Sequence, residues 1–200
     1  MADASLVIPV YFDFASTLCY AAHRVMGRLT PELSGFGVAL DWRPIDLARI
    51  TGWRRGTDVV GGRRGHVLRV ARQLAGPVRV PPRWIDSRPA AAVALALHGT
   101  PKEVAWRERV WTAVFEEGRD PDDEGELAAW ARDLGLDDAV LDVRIAAVDA
   151  ETDRAHALGV DGAPTFLLGP WPMPGIQDDA TMLGLLRRYA ERQRQRAGGG

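Results

Sequence analysis

The stretch "VYFDFASTLCYAAHRVM", residues 10–26, places a short apolar run directly before a segment with helical spacing. The apolar run suits a buried strand, and the apolar residues that follow recur at the i, i+4 and i+7 positions of one helix face. Between the two lies Ser16-Thr17-Leu18-Cys19, which differs from a Cys-x-x-Cys sequence only in its first residue. The stretch therefore predicts a strand that runs abruptly into a helix, with Ser16 and Cys19 in the first helical turn.

A helix start of this kind favours an anion, because its first N–H groups are unpaired and the helix dipole is positive there. Dithiol exchange requires an attacking thiolate and a second, resolving thiol, and serine cannot replace the first. We therefore expect no disulfide exchange by the usual route. Two questions stay open: whether Ser16 does more than cap the helix, and whether Cys19 is a buried small hydrophobe or a reactive thiol.

The composition is that of an ordinary globular chain of 200 residues, 46% hydrophobic and 26% charged. The length indicates one domain, or one domain with a large insertion. The single cysteine allows no internal disulfide, which suits a reducing compartment. The net charge of −2 and the absence of an apolar run near ~20 residues predict a cytoplasmic protein with no nucleic-acid partner and no membrane partner.

Charge is nevertheless segregated along the chain. Residues 49–72 contain seven Arg and one Asp, whereas residues 116–142 contain eleven acidic residues and two Arg. Such runs are typical of solvated helix faces, and the first could also form a rim that attracts anions.

The order of apolar and turn segments predicts β-α-β, then a helical block, then α-β-(β)-α. Because proline removes a ladder donor, Pro9 inside the first apolar run predicts an edge strand or a bulge. Pro31 is expected to end the first helix, and a second strand is expected over residues 37–44. A later helix is predicted at about 143–158 and a strand at 163–171. Helix caps are predicted at Ser87, Thr100, Asp123 and Asp179.

The loop "GVDGAPTF", residues 159–166, contains the second informative element. Pro164 follows Ala163 at the start of a late strand, which makes the bond between them a candidate cis peptide bond.

Together these elements resemble the DsbA-like branch of the thioredoxin superfamily. Within it, "FDFASTLCY" followed by "WRPIDL" resembles the 2-hydroxychromene-2-carboxylate isomerases and the kappa-class glutathione transferases. The segments "GHVLRVARQLAGPVRVPPRW" and "GIQDD" are similar to those families as well. The resemblance implies an α/β thioredoxin-like fold with a large all-helical insertion. Residues 1–44 and 143–197 would form the thioredoxin-like domain, and residues 45–142 the inserted helical subdomain.

The same resemblance implies roles for individual residues. Ser16 would donate a hydrogen bond to the thiolate of bound glutathione. The backbone of Ala163, before Pro164, would pair with the tripeptide as a β-strand does. Gln177 and Asp178 would bind its γ-glutamyl end, with a carboxylate facing the ammonium group.

Aromatic and basic residues offer further candidates. Trp53, Trp84 and Trp171 lie in loop-like contexts, where they could form a wall for a planar substrate or simply pack. Trp106, Trp111 and Trp130 have helical spacing and are expected in the core. Arg54 and Arg55 could meet a carboxylate or lie on the solvated surface. Cys19 and His23 have metal-ligand spacing, but no third ligand is near in sequence, so no metal is expected.

Three functions are compatible with these features. The first is an isomerase or transferase that uses glutathione or another low-molecular-weight thiol and acts on an aromatic or unsaturated small molecule. The second is a redox-inactive thioredoxin-fold module for binding or assembly. The third is an oxidoreductase that uses Cys19 alone. The apolar helices are also compatible with a homodimer.

Overall fold

Four strands form one sheet with the spatial order β2-β1-β3-β4. A computed structural model describes residues 6–59, 61–142 and 144–198. The strands are β1 (Leu6–Phe12), β2 (Val38–Pro44), β3 (Thr165–Leu168) and β4 (Trp171–Pro174). β1 and β2 are parallel, whereas β3 is antiparallel to both of its neighbours. The predicted strand at 163–171 is therefore two strands joined by a turn at Gly169, whose φ of 65° favours glycine.

Helices fill the chain between and after these strands. They are α1 (Thr17–Gly35), α2 (Leu47–Thr51), α3 (Gly61–Ala75), α4 (Arg88–Ala96), α5 (Lys102–Thr112), α6 (Glu124–Asp133), α7 (Ile145–Ala157) and α8 (Asp179–Gly198). A π-helical turn follows α5 at Ala113–Glu117, and a 3-10 turn lies at Asp138–Leu141. None of the helices within the described ranges has both the length and the apolar character needed to cross a bilayer.

The arrangement confirms the predicted fold class, an α/β thioredoxin-like sheet with a large helical insertion. α1 connects the two parallel strands and contacts α3 and α8, while α4 contacts α7 and β2. The three tryptophans predicted for the core, Trp106, Trp111 and Trp130, are fully buried. Val143, the predicted start of the helix before β3, lies outside the described residues, and α7 begins at Ile145.

Two predictions made from prolines are wrong. Pro9 lies in β1, an interior strand whose parallel register with β2 runs from Leu6 to Phe12 without a bulge. The ladder to β3 pairs only Val10 and Tyr11, so on that side the ladder does not extend to Pro9. Pro31 lies inside α1, which continues to Gly35. Leu33, which is 1% exposed, packs the last turn into the core, and this burial offsets the cost of an interior proline.

The predicted caps have mixed outcomes. Asp123 caps α6, since its Oδ1 accepts a hydrogen bond from the N–H of Glu126 at 3.1 Å. Thr100 does not cap α5: the N-cap position is Pro101, no side chain makes a capping bond there, and the Thr100 hydroxyl is directed to the carbonyl of Leu97 at 2.6 Å.

The cap of α8 is Asp178, one residue before the predicted Asp179. The carboxylate of Asp178 accepts from the N–H of Thr181 at 2.9 Å, as an N-cap does. Asp179 is the first helical residue and forms a bidentate ion pair with Arg28 on α1.

Asp13 connects the end of β1 to the starts of two helices. Its Oδ1 accepts from the N–H of Ala15 at 2.7 Å and from the Ser87 hydroxyl at 2.5 Å, and its Oδ2 accepts from the N–H of Leu47 at 2.7 Å. Ser87 occupies the N-cap position of α4 but makes no side-chain capping bond: its backbone, at φ −90° and ψ −2°, is not extended as a cap usually is, and its hydroxyl donates to Asp13. The carboxylate thus fixes the β1–α1 junction against α2 and α4.

Burial raises the pKa of Asp13, and the three donated hydrogen bonds act in the opposite direction. A carboxylate that is 2% exposed is tolerated only because these donors satisfy its oxygens. The three donor groups depend on the carboxylate in turn, because they are withdrawn from water and would otherwise lack an acceptor.

We expect Asp13→Ala to lower the free energy of unfolding by at least about 3 kcal/mol, because it leaves three donors without their acceptor at about 1–3 kcal/mol each. Asp13→Asn keeps one acceptor oxygen and should lose less. Urea denaturation measures both changes. The control is Asp153→Ala, which removes an exposed ion pair with Arg49 and should barely move the urea midpoint. Equal midpoints for Asp13→Ala and the control would contradict this role.

Candidate active site

Ser16 is the N-cap residue of α1, with φ −91° and ψ 113°. Its Oγ accepts a hydrogen bond from the N–H of Cys19 at 3.3 Å. The capping role is therefore real, and it uses the oxygen as an acceptor, so the hydroxyl hydrogen can be donated either to the Cys19 sulfur or to a ligand. The backbone oxygen of Ser16 accepts from the N–H groups of Cys19 and Tyr20.

Ser16 lines a cavity of about 250 Å³. The cavity is surrounded by the first turn of α1, by the loop at 161–164, by two paired loops at 51–59 and 80–84, and by α3. Its apolar wall comes from Leu18, Leu47, Trp53, Val59, Val67, Val80, Pro81 and Trp84. A mainly apolar cavity with a few polar groups is the usual form of a small-molecule site.

The loop that faces Ser16 across the cavity carries the second predicted element. The Ala163–Pro164 peptide bond is cis, as the sequence predicts. The carbonyl of Pro164 accepts from the N–H of Gly175 at 2.7 Å, and the hydroxyl of Thr165 donates to the carbonyl of Gly162 at 2.8 Å. These bonds hold the loop in place, and Gly162, Ala163 and Pro164 all line the cavity.

Trp53 and Trp84 also line the cavity, with their rings stacked at 3.8 Å between centroids and 27° between planes. Backbone pairing holds the two loops together, since the N–H of Gly56 donates to the Trp84 carbonyl and the N–H of Trp84 to the Thr57 carbonyl. Their use as a substrate wall stays a prediction. Trp171, the third candidate, is 59% exposed on β4 and does not line this cavity.

The arginines at the cavity differ from those that the sequence suggested. Arg55 is held by the carboxylates of Asp46 and Asp86 and does not line the cavity, nor does Arg54. Arg64 and Arg83 line it instead. For Arg64, the sequence did contain an indication: the residue lies in the basic run at 49–72, and its i, i+3 spacing places it on the same face of α3 as Val67.

Cys19 lies behind the cavity and does not line it. Its side chain is fully buried, and the N–H of Asp13 donates to its Sγ at 3.5 Å. Burial raises the pKa of the Cys19 thiol to about 12, against smaller opposing effects of hydrogen bonds from Ser16 and Asp13. At neutral pH the residue is therefore a neutral thiol. This supports Cys19 as a buried small hydrophobe rather than as a reactive thiol.

Gln177 and Asp178 are exposed and do not line the cavity. Both oxygens of the Asp178 carboxylate are engaged by Thr181, one by its N–H and the other by its hydroxyl, each at 2.9 Å. Their predicted contact with a γ-glutamyl group stays a prediction, and it would require Asp178 to share a carboxylate already used as a helix cap.

The polar side chains of the cavity are of both charges: Arg64 and Arg83 line it together with Asp161, and Arg83 also pairs with Asp58 at 3.5 Å. Ser16 and the start of α1 can meet the sulfur of a small thiol, and the guanidinium groups of Arg64 and Arg83 can meet carboxylates. The main chain at Gly162–Ala163 borders the same space. Within the described residues, no three His, Cys, Asp or Glu side chains come together as a metal site requires.

Comparison with known proteins agrees with this fold. The sequence model of the DSBA-like thioredoxin domain matches residues 7–186, so the chain belongs to that family. A structure of 2-hydroxychromene-2-carboxylate isomerase is similar to this chain at 25% identity and a TM-score of 0.73, and the match covers 98% of this chain and 100% of the other. Cytosolic disulfide reductase DsbM from Pseudomonas aeruginosa, in a structure with GSH, is similar at 22% identity and a TM-score of 0.64, covering 96% and 99%. The comparison with curated proteins found no match.

Burial of Cys19 predicts slow alkylation in the folded protein. Iodoacetamide at pH 8 should modify the native thiol at least roughly 100-fold more slowly than the thiol of the urea-unfolded chain, because a thiol with a pKa near 12 is scarcely ionised. Mass spectrometry over a time course measures both rates. Comparable rates in the two states would restore Cys19 as a reactive residue.

Proposed function

We propose that this protein is a thiol-dependent isomerase or transferase that acts on an aromatic or unsaturated small molecule. The observation that carries the proposal is that Ser16, the cis Pro164 and the stacked Trp53 and Trp84 all line one cavity. Ser16 would hold glutathione or a similar thiol, which would supply a nucleophilic sulfur: in isomerisation the sulfur would add to an electrophilic carbon and leave again as the double bond re-forms, and in transfer it would stay bound while the carbon takes up a proton or releases a leaving group such as a halide.

Ser16 has the chemistry needed to stabilise that sulfur as an anion. Its oxygen accepts from the Cys19 N–H, and its hydroxyl hydrogen, which can be donated to the Cys19 sulfur, would be donated instead to a thiolate bound in the cavity. A hydrogen bond to a thiolate favours the ionised form and lowers the thiol pKa, and the dipole of α1 acts in the same direction.

The chemistry of Cys19 supports a thiol from outside the protein. The sulfur of this chain is buried and neutral at physiological pH, so it is a poor nucleophile. The single-cysteine oxidoreductase is accordingly less well supported than the thiol-dependent enzyme. The similarity to 2-hydroxychromene-2-carboxylate isomerase, at 25% identity across 98% of the chain, favours the isomerase form. We place the activity in the cytoplasm, where small thiols stay reduced.

The walls of the cavity suit a planar, electrophilic substrate. Trp53 and Trp84 offer aromatic surface, and the aliphatic side chains opposite exclude water from the reacting atoms. Exclusion of water matters because a thiolate is a stronger nucleophile when it is held by a single hydroxyl than when it is fully hydrated.

Ser16→Ala should raise the pKa of bound glutathione by about 1–2 units, since a hydrogen bond to a charged group contributes about 1.5–3 kcal/mol and one unit corresponds to 1.36 kcal/mol. The ultraviolet absorbance of the thiolate, followed against pH with saturating glutathione, measures this pKa. Turnover of 2-hydroxychromene-2-carboxylate, or of an activated aryl halide, should fall roughly 10-fold or more.

Two further variants separate this role from helix capping. Ser16→Thr keeps both the cap and the hydroxyl and should restore the low pKa and the turnover. Ser16→Asp keeps the cap but places a carboxylate against the thiolate, so it should fold normally and lose glutathione binding. Unchanged glutathione affinity in Ser16→Asp would contradict the proposal. Absence of heat with any small thiol in the unaltered protein would favour the redox-inactive binding module instead.

A further inference from the structure

A second cavity, of about 280 Å³, lies on another side of α1. It is bordered by the later turns of α1, by β2 and by α5, and it shares no lining residue with the cavity at Ser16. Its wall is mainly apolar and comprises Met26, Leu33, Val38, Leu40, Trp42 and Val104. Thr30 and Ser34 stand at its exposed edge, where α1 meets solvent.

Arg107 of α5 is the cationic side chain of this cavity. The residue is only 5% exposed, and its guanidinium lies over the ring of Trp42 at 4.9 Å from the centroid. One nitrogen, Nη1, donates to Glu103 at 2.8 Å. The buried Nε has no hydrogen-bond partner in the part of the chain that the structure describes. A buried donor without an acceptor is uncommon in folded proteins and marks a place where an acceptor binds favourably.

The other titratable side chain of the wall is His23, which is paired with Glu108. Burial lowers the pKa of His23, and its hydrogen bond to Glu108 acts in the opposite direction. Glu108 also pairs with Arg24 at 3.2 Å, and neither Glu103 nor Glu108 lines the cavity. Glu103 shares the Arg107 guanidinium with any incoming anion, since it holds Nη1, and the described lining residues themselves include no carboxylate.

We propose that this cavity binds a small molecule with a carboxylate head and an aliphatic chain, with the carboxylate at Arg107 and the chain along Met26, Leu33 and Val38. An arginine edge is suited to a carboxylate, because its planar N–H groups match the two oxygens. The apolar wall favours a hydrocarbon chain, since its burial removes apolar surface from water. This site is independent of the proposed thiol chemistry.

The probe is octanoate, titrated into the full-length protein. Binding is followed by calorimetry and by intrinsic tryptophan fluorescence, to which Trp42 contributes. Octanol is the matched uncharged ligand. Octanoate should bind at least roughly 10-fold more tightly than octanol, and Arg107→Met should remove that preference, because the charge-assisted hydrogen bond is lost. Arg107→Lys keeps the charge but loses the planar edge, so it should give an intermediate preference.

A variant at the edge of the cavity tests the location without removing any interaction. Gly27 lies on α1 at this cavity, and a side chain there would meet no atom within 4 Å of its Cβ. Gly27→Leu should therefore fold normally and place a branched side chain at the exposed edge of the cavity, where it should weaken octanoate binding. Gly65→Leu is the control, since Gly65 is also helical, open at its Cβ and outside both cavities.

Each outcome decides the proposal. It would be overturned by equal affinity for octanoate and octanol, by full octanoate binding in Gly27→Leu, or by no binding at all in the unaltered protein. Glutathione affinity should be the same in Gly27→Leu as in the unaltered protein, because the two cavities have no lining residue in common. The fates of the two proposed sites can thus be distinguished.

Discussion

The buried carboxylate of Asp13 is the constraint on which the rest of the site depends. It lies three residues before Ser16 and receives hydrogen bonds from Ala15, Leu47 and Ser87. These donors come from the β1–α1 junction and from the starts of α2 and α4, so one side chain joins the sheet to the helical insertion. Because α2 begins the segment that carries Trp53, the same carboxylate also helps to set the distance between the helix start and the aromatic wall.

The β1–α1 junction gives different environments to Ser16 and Cys19, which are close in the sequence. Cys19 is buried behind the first turn as a neutral thiol, whereas Ser16 caps that turn and borders the cavity. In a protein with a Cys-x-x-Cys sequence, the helix start would stabilise the thiolate of the chain itself. Here the same electrostatics are available to a sulfur from outside, and this difference is the physical basis of the proposed function.

The sequence predicted those features that arise from local patterns. The strand-to-helix junction, the cis bond before Pro164 and the buried tryptophans of α5 and α6 each follow from periodicity or from a short motif. The contacts of Asp13 did not, because they join residues 34 and 74 positions apart, and nothing in a single sequence marks such pairs. Ser87 illustrates the consequence: its type and position favour a cap, but its hydroxyl is directed to a distant carboxylate and accepts no N–H of α4. Arg64 and Arg55 show the same limit, since which arginine reaches the cavity depends on the tertiary positions of Asp46 and Asp86.

The most direct test of the central claim is a crystal structure of the protein with saturating glutathione. The account predicts that the glutathione sulfur lies within hydrogen-bond reach of Ser16 Oγ, on the cavity side of the first turn of α1 and opposite Pro164. A sulfur bound elsewhere, with Ser16 contacting only its own helix, would contradict it.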